Sequence, residues 1–118
     1  MIIFSPPFFV QNSYAKKKGF FGMVKHIVCF KLADATKENA EKTAEVLRSM
    51  EGNVPQLRSI EVGVDFLHSP RSYDIILQVT VDDEKALEAY QQDSYHCGVV
   101  KKHMHAVSES SVAVDYYL

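Results

Sequence analysis

Between Val24 and Leu32 the sequence alternates with a period of two, placing Val24, His26, Val28, Phe30 and Leu32 on one face and Lys25, Ile27, Cys29 and Lys31 on the other. This period is the signature of a pleated strand, whose successive side chains point to opposite sides. The first face is apolar at every position except His26, so another layer of structure must cover it. A strand that demands cover on one side, and carries a single imidazole there, constrains the fold more than any other feature of the chain.

The following segment supplies that cover. From Thr36 to Met50 the period becomes helical: Ala40, Thr43, Leu47, Met50 and, beyond them, Val54 share a stripe, whereas Lys37, Glu38, Glu41, Lys42, Glu45 and Arg48 take the solvent side. Gly52-Asn53 supplies a stop, and Pro55 lies just past it. Ile60, Val62, Val64 and Phe66 alternate with Glu61, Gly63 and Asp65 and predict a second strand. A turn at His68-Ser69-Pro70-Arg71-Ser72 leads to a third strand over Tyr73–Val81. Asp82-Asp83 caps a second helix in which Ala86, Leu87, Ala89 and Tyr90 recur. An amphipathic stretch from His96 to Val107 then places His96, Val99, Val100, His103 and Val107 near one face. Ser110–Leu118 closes the chain as a strand through Val112, Val114 and Tyr116.

The order β-α-β-β-α-β, with the last helical part broken in two, predicts an α+β, ferredoxin-like monomer: a four-stranded antiparallel sheet with its helices on one face. The other sheet face is expected to carry Ile27, Cys29, Ile76 and Ala113. Leaving that face in water is unfavourable, and two copies packed through it would form a homodimer.

Residues 23–118 form this domain, and residues 1–22 look foreign to it. Met1–Val10 is apolar but broken by Pro6-Pro7, has no basic residue before it, and is too short to span a bilayer. Met23 stands immediately before the first strand, and Lys17-Lys18-Gly19 reads back into a purine-rich run of codons like a bacterial ribosome-binding site. Residues 1–22 are therefore expected to be an N-terminal extension from a misplaced start or an added segment. Lys16, Lys17 and Lys18 lie in it; removing these three from thirteen Lys and Arg leaves the domain ten basic against fifteen acidic side chains. Such a field does not favour nucleic acid or an anionic membrane as partner. Cys29 and Cys97 have neither metal-site spacing nor the density of a secreted disulfide scaffold, which points to reduced thiols in the cytoplasm.

Three residues carry the chemistry. His26 on the first strand, Tyr90 in the second helix and His96 six residues later can be brought by this fold to one cavity, giving two imidazoles and a phenol. An imidazole titrates near neutral pH and takes a proton from an activated carbon, while a phenol or second imidazole steadies the oxygen that gains charge. Each also has a plainer explanation: His26 as a hydrogen-bonded core residue, His96 as a helix cap, Tyr90 as packing on an apolar stripe. His103-Met104-His105 does not suit a metal, because residues two apart on a helix diverge. No cofactor is expected.

The segments Met23–Leu32, Val54-Pro55, Tyr73–Leu77, Tyr90 to His96 and Val114-Asp115-Tyr116 together resemble the stress-responsive A/B barrel (Dabb) family of dimeric α+β barrels. The resemblance implies a homodimer, with a cavity between each sheet and its own helices. One branch of that family, the plant olivetolic acid cyclase, closes a linear polyketide by aldol condensation without metal or organic cofactor; its histidine pair corresponds to His26 and His96, and its tyrosine to Tyr90. This sequence departs from that branch at Asp93-Ser94, where the branch has His-Pro, and at Leu47, where it has a pocket tyrosine. The cyclase reaction itself is therefore not implied.

Three functions follow as expectations. One is a cofactor-independent pocket for a small organic carbonyl or aromatic compound, with His96 as base and His26 and Tyr90 as polarising donors. A second is a ligand-binding or structural dimer without turnover. The third is a monooxygenase or haem-degrading barrel of similar fold, which the absence of any Trp disfavours.

Overall fold

The computed structural model describes residues 22–118, so the expected extension over residues 1–22 lies, except for Gly22, outside the described residues. β1 (Val24–Leu32), α1 (Lys37–Arg48), β2 (Ser59–Val64), β3 (Ile75–Val81) and α2 (Glu84–Gln92) follow in order. A π-helix (His96–Lys101), α3 (Lys102–Val107) and β4 (Ser108–Tyr117) complete the chain. The sheet order is β2-β3-β1-β4 and every pairing is antiparallel, which is the expected ferredoxin-like arrangement.

Local chemistry sets the boundaries. Thr36 caps α1 by accepting the Asn39 N–H at 3.1 Å, and Asp83 caps α2 by accepting from Ala86 at 2.8 Å. Gly52, at φ +83°, supplies the left-handed residue that turns the chain after α1. The stripe of α1 packs as read from its period, with Ala44, Leu47 and Met50 fully buried against Leu77, Val79 and Tyr90. Arg58 and Asp82 form a two-pronged ion pair, 2.8–2.9 Å, tying the start of β2 to the end of β3.

Four expectations are corrected. Phe66 is not a strand residue: β2 ends at Val64, and Phe66 stands 88 % exposed. Asp65 bends the chain there by accepting the N–H of His68, a left-handed residue at φ 53°. β3 begins at Ile75, because Asp74 turns its carboxylate back to the Leu32 N–H at 2.7 Å. Val99 is 44 % exposed and Met104 is buried in its place, because the π-helix adds residues to each turn and rotates the following stripe. Ala113 faces the helices: it pairs with Val28, so the outer face of β4 carries Val112, Val114 and Tyr116 beside Ile27 and Cys29.

Met50 anchors the core at the end of α1, fully buried, with its thioether 3.8 Å from the Tyr90 hydroxyl. Truncation to alanine leaves a cavity and an unpaired phenol. Met50→Ala is expected to destabilise the domain by about 3 kcal/mol, measured as a lower urea midpoint at unchanged slope; a loss under about 1 kcal/mol would show that this end of the core is slack.

Candidate functional site

A cavity of about 540 Å³ opens between the helical layer and the inner face of β1 and β4. Its polar end holds His26, Tyr90 and His96; Val28, Phe30, Leu47, Leu77, Val100 and Met104 supply the apolar wall. The three residues selected from the sequence thus line one cavity. Its size is that of a small-molecule pocket.

Register places the first group. On β1, His26 lies between Val79 of β3 and Asp115 of β4. Its ring is 7 % exposed as a residue, and its Nδ1 bonds the Asp115 carboxylate. A carboxylate only accepts, so Nδ1 carries the hydrogen and Nε2 is the nitrogen left for other chemistry. Asp115 was not singled out as a site residue from the sequence, although the alternation of β4 puts it on the face opposite Val114. Its signal lay in the antiparallel register, which sets it across from His26.

Local helix chemistry places the second. α2 ends at Gln92, where its last carbonyls need donors. His96 Nδ1 donates to the Tyr90 carbonyl at 2.9 Å; Lys101 Nζ and Cys97 Sγ donate to the Gln91 carbonyl at 3.0 and 3.3 Å. Asp93 accepts the Tyr95 and His96 N–H groups at 2.9 and 3.0 Å, starting the π-helix with His96 turned inward. As with His26, Nε2 remains the uncommitted nitrogen. Burial lowers the pKa of His96 from 6.5, the charges of Lys101 and His26 lower it further, and the Tyr90 carbonyl and Asp93 oppose the shift. At neutral pH His96 is therefore an uncharged imidazole.

Tyr90 joins the two. Its ring, fully buried, stacks on His96 at 4.1 Å between centroids and meets His26 edge-on at 5.8 Å. Desolvation, with the Asp93 charge adding to it, raises the Tyr90 pKa well above 10, so the hydroxyl stays protonated. That hydroxyl points to the Met50 sulfur, and the ring stands between the two imidazoles. His103 and His105 part company as expected: His103 Nε2 bonds the buried Thr43 hydroxyl at 3.1 Å, while His105 lies at the cavity wall.

The lowered His96 pKa has a stability consequence. An unfolded imidazole takes up a proton near pH 6.5 and folded His96 only at lower pH, so below 6.5 the unfolded chain binds more protons and acid weakens the fold. The melting temperature is expected to fall as pH drops from 7 to 5. His96→Asn, which keeps a donor for the Tyr90 carbonyl, should flatten that fall; an unchanged slope would count against an uncharged buried His96.

Comparison with known proteins places these features in context. The stress responsive A/B barrel domain model matches residues 24–118. An uncharacterized protein of Streptomyces coelicolor is 30% identical over 77 residues, covering 63% of this chain and 79% of that protein. A dimeric ferredoxin-like protein of unknown function from Thermobifida fusca superposes with a TM-score of 0.71 at 25% identity, covering 84% of this chain and 95% of the other. A hydroxynitrile lyase from Passiflora edulis gives 0.69 at 13% identity, covering 82% and 94%; that likeness is one of fold.

Proposed function

This chain belongs to the stress responsive A/B barrel domain family, and we propose that it is a homodimer in which each protomer offers a histidine-lined pocket to a small organic carbonyl compound and moves protons there without a cofactor. The observation that carries the reading is the pairing of two differently held imidazoles against one tyrosine ring in a cavity of about 540 Å³. Environments that separate two titratable groups are the usual basis of an acid and base pair.

The roles follow from the partners. His96, uncharged, takes the proton from the carbon next to the carbonyl through Nε2. The C–H electron pair forms the enol double bond, and the carbonyl π pair moves to oxygen. In its imidazolium form, with Nδ1–H held by the Asp115 carboxylate, His26 gives its Nε2 proton to that oxygen. When the proton on His96 has exchanged with solvent it returns to carbon, the enol pair re-forms the carbonyl, and the oxygen gives its proton back to His26 Nε2, so both imidazoles regain their starting forms and the atoms are conserved. That a protein of this fold is a hydroxynitrile lyase supports the reading at the level of fold.

The test is deuterium exchange. β-Dicarbonyl compounds and aryl ketones in D2O, followed by NMR, are expected to lose α-protons faster with protein than in buffer. His96→Ala and His26→Ala should each reduce that rate by about 100-fold or more. If the compounds bind but none exchanges faster than in buffer, the pocket binds without turnover and the catalytic reading falls.

Assembly is proposed through the outer sheet face. Val112, Val114 and Tyr116 are 51 %, 61 % and 43 % exposed on β4, contiguous with Ile27, Cys29 and Ile76. A patch of this kind on a lone protomer needs cover, and the Thermobifida fusca relative is described as dimeric. Light scattering is expected to give twice the protomer mass, and Val114→Glu, which would bury a charge at the seam, should give a monomer. A Val114→Glu protein that stays dimeric would move the interface elsewhere. No helix among the described residues is long and apolar enough to cross a membrane. Cys29 and Cys97 are both free thiols, which supports a cytoplasmic place of work.

A further inference from the structure

We infer that Lys101 is the anion-holding group of this pocket, and that the ligand is a small apolar compound bearing a carboxylate. The inference rests on the pocket reading above and adds the chemical class of what enters.

Lys101 closes the π-helix and lines the same cavity as His26 and His96. Its ammonium is held at 3.0 Å by the Gln91 carbonyl, one residue along from the Tyr90 carbonyl that holds His96. The charge therefore stands beside the base, near enough to act on its pKa. An ammonium has three donors, and among the described residues the Gln91 carbonyl is the one acceptor bonded to it. The ion pairs among the described residues are His26 with Asp115, Arg58 with Asp82 and His68 with Asp65, so no carboxylate of this chain neutralises Lys101 there. Glu109 also borders the cavity but is exposed and makes no ion pair with Lys101.

A second polar group in the same cavity lacks a partner. Ser108, where α3 passes into β4, has a buried hydroxyl with no hydrogen-bond partner. A buried hydroxyl without a partner is unfavourable and calls for an acceptor or donor from outside the chain. A half-buried, un-neutralised ammonium and an orphan hydroxyl, set in a wall of Val28, Phe30, Leu47, Leu77, Val100 and Met104, match a molecule with an apolar body and an anionic oxygen pair. A neutral ligand of the same shape fills the wall and leaves both polar groups unanswered. Seating the carboxylate on Lys101 brings the neighbouring carbons of the ligand toward His96.

Calorimetric titration of the full-length protein with 4-phenylbutyrate and with its neutral amide tests this directly. The carboxylate is expected to bind at least tenfold more tightly than the amide at low salt. Lys101→Met should remove that preference while leaving amide binding within about twofold, and the retained amide binding shows that the variant is folded. Equal affinity for the two compounds, or an equal loss of both in Lys101→Met, overturns the role of Lys101 and leaves the pocket reading standing. Failure of both compounds to bind the unaltered protein overturns the pocket reading and this inference together.

Discussion

The antiparallel register between β1 and β4 is the constraint on which the site depends. Because strand side chains alternate, a slip of one residue would move Asp115 to the outer face and bring Val114 or Tyr116 against His26. The register is set by more than that pair: Val24 to Leu32 meet Tyr117 to Ser108 along the whole strand, with one irregularity between Lys31 and Leu32. The continuous ladder makes the His26 and Asp115 contact a consequence of many backbone bonds rather than their cause. A buried imidazole with a carboxylate partner is then tolerated because its desolvation is offset by a bond fixed in advance.

On the helical side, an end of helix does the same work. The last carbonyls of α2 need donors, and the chain answers with three side chains from the π-helix, His96, Cys97 and Lys101. Capping and pocket construction are thus one event. The bond that satisfies the Tyr90 carbonyl also fixes which nitrogen of His96 remains uncommitted, and the wider turn carries Val100 and Met104 into the core. Tyr90 links the two halves, stacked on one imidazole and edge-on to the other.

The fold was legible because its signals are periodic and local: the alternation of β1, the stripe of α1 and the aspartates before α2 each point to one local structure. His26, Tyr90 and His96 were legible as residue types that stand out from apolar faces. What escaped was set by geometry outside any single segment. Phe66 continues the alternation of β2 by pattern, yet Asp65 turns the chain first. Ala113 and Val114 are both apolar, so β4 has no polarity contrast there to say which faces the helices, and only pairing with Val28 decides it. Met104 replaced Val99 in the core because a π-helix has no composition signature that departs from an α-helix. Asp115 and Lys101 read as ordinary surface charges until register sets the first against His26 and helix capping brings the second to the cavity wall.

The same reasoning separates the groups that support the fold from those free to act on a ligand. Asp93 and Thr43 have polar partners within the chain, and Tyr90 meets the Met50 thioether, so their chemistry is spent on structure. His26 and His96 are half committed: one nitrogen of each is fixed by the chain and the other is not. Lys101 and Ser108 are committed least, with one bond and none. A side chain whose capacity exceeds what the fold uses, in a cavity of small-molecule size, is where recognition has room to operate. By that measure the chain's own hydrogen bonds rank its candidate residues: Lys101 and Ser108 keep the most unused capacity, His26 and His96 come next, and Tyr90 keeps the least.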